Sequence, residues 1–260
     1  METETNRPIA VLDSGVGGIS VLRELRRRLP GEDYLYFGDS ANAPYGERSV
    51  ESVRALTLAH ADELFAAGAK ALVVACNTAT AAAIGALRER FADRPVIGIE
   101  PALKPAVLQK PHPTVLVMAT PLTLGQEKFA RLLAQYADRA RILTLPCHGL
   151  VELIERGVTH GPELDALLRG LFAPLSGEAI DSVVLGCTHY PLVRPAIRAV
   201  LGTDVALFDG GEGTARETAR QLALHGLCRP NDGPGHVIWR NSSPDPRLPA
   251  LCETLLNARD

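Results

Sequence analysis

No apolar run in the 260 residues approaches the roughly 20 needed to span a bilayer. The opening METETNRP is polar and acidic, without the charged-then-apolar order of a secretory leader. The sequence therefore predicts a cytoplasmic protein with no membrane partner. An excess of charge is missing too: 27 basic and 30 acidic residues are mixed along the chain, for a formal net charge of -3. That balance gives no electrostatic footprint for nucleic acid. RELRRR (23 to 28) is the one basic cluster, and at helical spacing it reads as a solvated face.

Lysine is scarce. Lys70, Lys104, Lys110 and Lys128 are all the chain has, and none follows a motif that would hold a pyridoxal cofactor. Neither a Walker loop nor a dinucleotide fingerprint is present, because after Gly15 and Gly17 of DSGVGG the next required glycine is Ser20. That turn can still offer backbone N-H groups to an anion, a carboxylate as readily as a phosphate, or be a tight turn that needs positive φ. Cysteines 76, 147, 187, 228 and 252 are odd in number and scattered, which argues against a disulfide framework and for reduced thiols. Cys76, Cys147, Cys187, His148 and His189 lack the spacing of local zinc-ligand pairs, so no metal is expected. Cys228, at a helix end, and Cys252, on an amphipathic helix, read as packing residues.

What the chain has is a regular alternation. PIAVLD, YLYFGD, ALVVAC, VIGIE, TVLVMAT, RILTLPC, SVVLGC, DVALFD and HVIWRN are short β-rich runs separated by amphipathic stretches. Runs apolar on both faces need helices on both sides, so the rhythm predicts an α/β fold with mostly parallel sheets. Helix signals agree: VLRELRRRL is apolar at 22, 25 and 29 and stops at Pro30, while Ser49 caps a run that continues to Gly68. A chain of this length, 46% hydrophobic, folds as one large or two small domains.

Two internal echoes favour two. ALVVACNTATAA (71 to 82) and SVVLGCTHYPLV (182 to 193) align at an offset of 111 residues, cysteine on cysteine. PIAVLDSGVGG (8 to 18) and TVLVMATPLTL (114 to 124) align at 106. Duplicated order predicts two similar, pseudo-twofold-related α/β domains, residues 1–98 with 209–260 and residues 99–208, whose strand ends face each other across a cleft. RPNDGPG (229 to 235) precedes a last strand and helix that return to the first domain.

Open α/β sheets bind ligands beyond the carboxyl ends of their strands. The polar groups ending the runs are Asp13-Ser14, Asp39-Ser40, Cys76-Asn77-Thr78, Thr120 and Cys187-Thr188-His189. Each cysteine sits at a strand-to-helix turn, where helix N-H groups are expected to lower a thiol pKa. Two thiols on opposite walls suit inversion of a carbon that bears one weakly acidic proton. One face needs a base and the other an acid, and a thiol with a reference pKa near 8.5 serves as either. Asp13 could serve Cys76, and His189 could serve Cys187.

At these residues the sequence resembles the cofactor-independent glutamate racemases of the aspartate/glutamate racemase superfamily. The matching segments run nearly end to end: DSGVGGISVL, YFGDSANAPYG, VVACNTATA, VIGIEPA, ATPLTLGQEKF, GLVELIERG, LGCTHYPL and the DGGEGTAR region. The resemblance makes Cys76 and Cys187 the acid/base thiols, with Asp13 beside the first and His189 and Glu155 beside the second. Ser14, Pro44, Tyr45, Gly46, Asn77, Thr78 and Thr188 match positions that hold the substrate's carboxylates and ammonium. It also implies glutamate as substrate, no cofactor, a homodimer, and a role in supplying D-glutamate for bacterial peptidoglycan. The chain departs from the family pattern at His148, where proline is common, and at Gly210, where serine is. An aspartate, hydantoin or other amino-acid racemase or a one-thiol decarboxylase on the same scaffold is the near alternative. A non-catalytic anion-binding module and a thiol redox protein are the distant ones.

Overall fold

Two parallel sheets organise the chain in a computed structural model that describes residues 4–202, 204–230 and 233–258. Nine strands occur among the described residues: β1 (Ile9–Asp13), β2 (Tyr34–Gly38), β3 (Ala71–Val74), β4 (Val96–Gly98), β5 (Thr114–Ala119), β6 (Arg141–Pro146), β7 (Ser182–Leu185), β8 (Ala206–Asp209) and β9 (Val237–Asn241). The order is β4-β3-β1-β2-β9 in the first sheet and β8-β7-β5-β6 in the second, every pairing parallel. The two orders superimpose, β4 on β8, β3 on β7, β1 on β5 and β2 on β6. The internal echoes are thus a duplication of architecture, and β9 is the strand the second sheet lacks.

Burial explains the apolar runs. Every residue of β1, β2, β3 and β7 is buried, as expected of strands covered on both faces. The edge strand β9 instead alternates between half-buried and exposed positions. One core joins the two sheets: Ile9, Val11 and Tyr36 from the first meet Leu116, Met118 and Leu145 from the second, with Leu248, Cys252 and Leu255 of the helix Leu248–Asn257 beneath them. Separate clusters fill the outer faces, one under the helices Val50–Ala66 and Asn77–Arg90 and one around Val115, Val117 and Val184.

Helix boundaries follow the sequence signals. Ser49 caps Val50–Ala66, its side chain accepting from Ser52 N, and Gly68 takes the positive φ that ends the run. The helix Ile19–Arg28 buries Ile19, Val21, Leu22 and Leu25 and leaves Arg27 and Arg28 exposed, while Arg23 donates to Leu255 O of the last helix. Gly210 has a packing reason: a Cβ there would lie 2.4 Å from Glu100 O and 2.7 Å from Ile99 Cγ1. Serine would not fit that approach. Among the described residues no helix is long and apolar enough to cross a membrane.

Candidate active site

Both sheets present their carboxyl-terminal ends to one cleft, and Cys76 and Cys187 stand there just beyond β3 and β7. Their exposures are 6% and 7%, so the cleft is closed over both sulfurs.

The first thiol is the N-cap of the helix Asn77–Arg90. Its Sγ accepts from Ala79 N at 3.4 Å and lies 3.6 Å from Ser14 Oγ. These contacts lower its pKa, as a helix N-terminus should, but they do not win. Burial, reinforced by the nearby charge of Asp13, pushes the Cys76 thiol up to about 12. The expected depression is therefore overturned: in the closed cleft this sulfur carries its proton. Asp13, at the end of β1, accepts from Gly15 N and from Thr188 Oγ1, both at 3.0 Å. Burial raises its pKa against the opposing pull of His189.

The second thiol has a different neighbourhood. Cys187 Sγ lies 3.6 Å from His189 Nδ1, and His189 Nε2 lies 2.5 Å from Glu155 Oε1. His189 is 1% exposed. Burial alone would favour the neutral ring, but the bonds to Cys187 and Glu155 outweigh it and hold the pKa well above the usual imidazole range. A cationic ring at this distance can return a proton to the sulfur.

Glu155 ends the helix Leu150–Glu155 of the second domain, yet it is held by the first: Val16 N donates to Oε1 at 2.7 Å and Ser40 Oγ to Oε2 at 3.2 Å. The DSGVGG turn permits this. Its glycines 15, 17 and 18 are not at positive φ, so the turn does not need them for backbone freedom. A Cβ on Gly15 would sit 1.8 Å from Glu155 Oε1, and one on Gly17 2.3 Å from His189 Nδ1. The absent side chains are the space into which the second domain's acid/base pair fits.

The residues expected to hold substrate are gathered here with unequal freedom. Ser14, Asn77, Thr78 and Thr188 are buried around the thiols, and Asn77 Oδ1 is a buried oxygen without a hydrogen-bond partner, free to meet a ligand. Thr78 Oγ1 instead bonds Thr120 and Thr123 of the second domain at 3.1 and 3.2 Å. Tyr45 directs its hydroxyl to Asp39 Oδ2 at 2.6 Å, so Pro44, Tyr45 and Gly46 offer the cleft mainly backbone, with Gly46 against Thr120. Cys252 is core, but Cys228 is exposed rather than packed, because the chain leaves its helix at Gly226. Sequence reasoning named Ser40 only as a strand-end polar group and passed over Val16 N and Asn241. The sole signal for Ser40 is its place after β2.

A chain folded in this way has relatives of known family. A sequence model described as Asp/Glu/Hydantoin racemase matches residues 9–218. The chain belongs to that family. A glutamate racemase of Clostridium acetobutylicum is 47% identical over 252 residues, 97% of this chain and 98% of that protein. The solved glutamate racemase of Francisella tularensis, in complex with D-glutamate, superposes with a TM-score of 0.84 at 28% identity, covering 98% and 95% of the two chains. That of Escherichia coli, with L-glutamate and the activator UDP-MurNAc-Ala, gives 0.83 at 32%, covering 96% and 94%.

Proposed function

We propose that this chain is an isomerase that interconverts L- and D-glutamate by moving the α-proton between two thiols without a cofactor, supplying D-glutamate for peptidoglycan. One observation carries the reading: Cys76 and Cys187 close on one cleft from equivalent strand ends, each beside its own polar partner. The full-length likeness to glutamate racemases supports glutamate over aspartate.

In this reading one sulfur, as thiolate, removes the α-proton, and the other, as thiol, protonates the opposite face. Cys76 carries its proton in the closed cleft and stands ready as acid, with Ser14 and Asp13 beside it. Cys187 exchanges its proton with His189, which Glu155 holds. Loss of the α-proton leaves charge that must be stabilised by preorganised donors. Thr188, Asn77 and the backbone of Pro44, Tyr45 and Gly46 are the groups assigned to the substrate's carboxylates, with Ser14 and Thr78 completing the wall. The domains run through residues 1–98 with 209–260 and residues 99–208. The placement of β9 in the first sheet and of β8 in the second supports that division. The assembly is a cytoplasmic homodimer, a state that sedimentation at micromolar concentration tests.

The reaction is tested by incubating the purified protein with L-glutamate, and separately L-aspartate, in D2O under reducing conditions. Circular dichroism follows racemisation and proton NMR follows the α-position. The expected outcome is loss of rotation with α-deuteration for glutamate alone, abolished by Cys76→Ala and by Cys187→Ala. Turnover of both enantiomers at near-normal rates by either variant would sink the two-thiol mechanism.

A further inference from the structure

The polar chain behind the second thiol does not stop at Glu155. It continues through Ser40, whose Oγ lies 3.2 Å from Glu155 Oε2, to Asn241, whose Nδ2 donates to Ser40 Oγ at 3.0 Å. Asn241 is the last residue of β9, in register with Gly38 of β2. Two features fix its side chain. Its Oδ1 accepts from Ser243 N at 2.8 Å, which turns Nδ2 toward Ser40. Gly38 leaves room for it, since a Cβ there would sit 2.9 Å from Nδ2. The next residue, Ser242, accepts from Ala41 N at 3.0 Å and so braces the same loop.

These contacts have a definite polarity. A serine hydroxyl has one hydrogen, and an amide N-H already points at the Ser40 oxygen. The hydroxyl hydrogen therefore goes to Glu155, a carboxylate that can only accept. Glu155 thus takes three donors: His189 from its own domain, and Val16 N and Ser40 Oγ from the other. Two of the three donors that hold the carboxylate against the imidazole thus come from the opposite side of the cleft. Furthermore, β9 lies beyond residues 9–218, so Asn241 falls outside the stretch matched by the family model, though within the 97% of the chain that aligns with the Clostridium acetobutylicum glutamate racemase.

We propose that Ser40 and Asn241 are positioning residues for the Glu155–His189 pair, and that through them the second thiol is competent only while the domains are closed. This rests on the two-thiol reading above. Neither residue touches the reacting atoms; each acts through the carboxylate.

The test compares wild type, Ser40→Ala, Ser40→Thr, Asn241→Ala and Cys187→Ala in both directions, with α-protio and α-deuterio glutamate. A hydrogen bond to a charged group accounts for roughly a tenfold to hundredfold effect. Ser40→Ala is expected to lower kcat by about tenfold or more with KM within about twofold, and Ser40→Thr to restore it. Asn241→Ala should fall in the same direction by less, because the hydroxyl loses its orientation and not its hydrogen. The isotope effect on kcat/KM should rise for the enantiomer whose proton goes to Cys187 and fall for the other, since only one wall is impaired. Unchanged kcat in both Ser40→Ala and Asn241→Ala, a rise in KM alone, or equal isotope effects for both enantiomers would overturn the proposal. Cys187→Ala separates the two levels: if it is inactive while Ser40→Ala is normal, only the positioning role fails. If Cys187→Ala turns over normally, the two-thiol reading fails and the proposal with it.

Discussion

Gly15→Ala isolates the claim that the glycine-rich turn is a socket for Glu155 and not a flexible hinge. Its φ is not positive, so alanine meets no backbone penalty. On conformational grounds alone it would stabilise the protein by about 0.4–1 kcal/mol through the unfolded state. Packing predicts the opposite. The new methyl would lie 1.8 Å from Glu155 Oε1, 2.4 Å from Cδ and 2.7 Å from Oε2, against an ordinary contact of 3.4 Å or more, so the carboxylate must retreat by about 1.6 Å. It is the end of a flexible chain and can swing away, but it then leaves Val16 N and His189 Nε2. An orphaned buried N-H costs about 1–3 kcal/mol, or a Tm loss of a few degrees at about 2–4 °C per kcal/mol. A misplacement of about 1 Å in an acid/base pair costs about a hundredfold in rate. The expected result is therefore a folded protein with kcat/KM down about a hundredfold and a small fall in Tm. In a Glu155→Gln background the same substitution should cost little more, because contacting residues are not additive. Circular dichroism rates and thermal melts on the four proteins decide it. A Gly15→Ala enzyme within twofold of wild type, or equal losses in both backgrounds, refutes the socket.

Lys70 and Glu32 form an ion pair with side-chain exposures of 0% and 4%, and Glu32 also accepts from Arg229 N. Lys70→Met should cost about 3–5 kcal/mol by leaving a buried carboxylate unpaired, read by urea unfolding, whereas Lys70→Met with Glu32→Gln should recover most of it. Asp39 is 0% exposed. Burial raises its pKa, but bonds from His60, Ser242, Tyr45 and Asn42 outweigh that and hold the carboxyl below its ordinary 3.8. A depressed carboxyl contributes stability that is present above the unfolded value and lost as pH falls through the folded one. Asp39→Asn should therefore lower the melting temperature at pH 7 and converge on wild type toward pH 2. Of the five cysteines only Cys228 is exposed, so a thiol reagent should label one equivalent rapidly in the native protein, and Cys228→Ser should remove that phase.

The fold was legible because its strands are buried on both faces. Each of the nine β-rich runs contains one strand, and the runs that end in Cys76 and Cys187 stop at equivalent places in two sheets of equivalent order. Such signals are local, a few residues of apolar side chain followed by a turn, and sequence carries local signals well. The acid/base environment was less legible because it is made between segments far apart. Val16 meets Glu155 across 139 residues and Asn241 meets Ser40 across 201. Neither pairing has a periodicity or spacing that announces it. The protonation state of Cys76 failed for a related reason. Sequence shows the helix N-terminus that lowers a thiol pKa, but burial and the charge of Asp13 depend on the closed cleft, and they prevail. Cys228 misled because a position near a helix end does not say which side of the end is covered.

Duplication of the scaffold did not extend to the chemistry of its two walls. Cys76 is kept protonated by burial beside Ser14 and Asp13, whereas Cys187 faces an imidazole whose pKa is lifted by Glu155 and by the sulfur itself. Enantiomers have equal free energies in water, so the equilibrium constant between L- and D-glutamate is one, and kcat/KM must be the same in both directions however unequal the walls. The asymmetry is therefore confined to the separate constants. The two directions start from bound complexes with the opposite protonation of unlike thiols, and the complex in which Cys76 keeps the proton that burial holds on it is the more stable. That direction should show the lower KM and, in proportion, the lower kcat. Equal kcat and equal KM for the two enantiomers would mean that the bound substrate erases the difference between the walls, and that the unlike partners of Cys76 and Cys187 serve alignment alone.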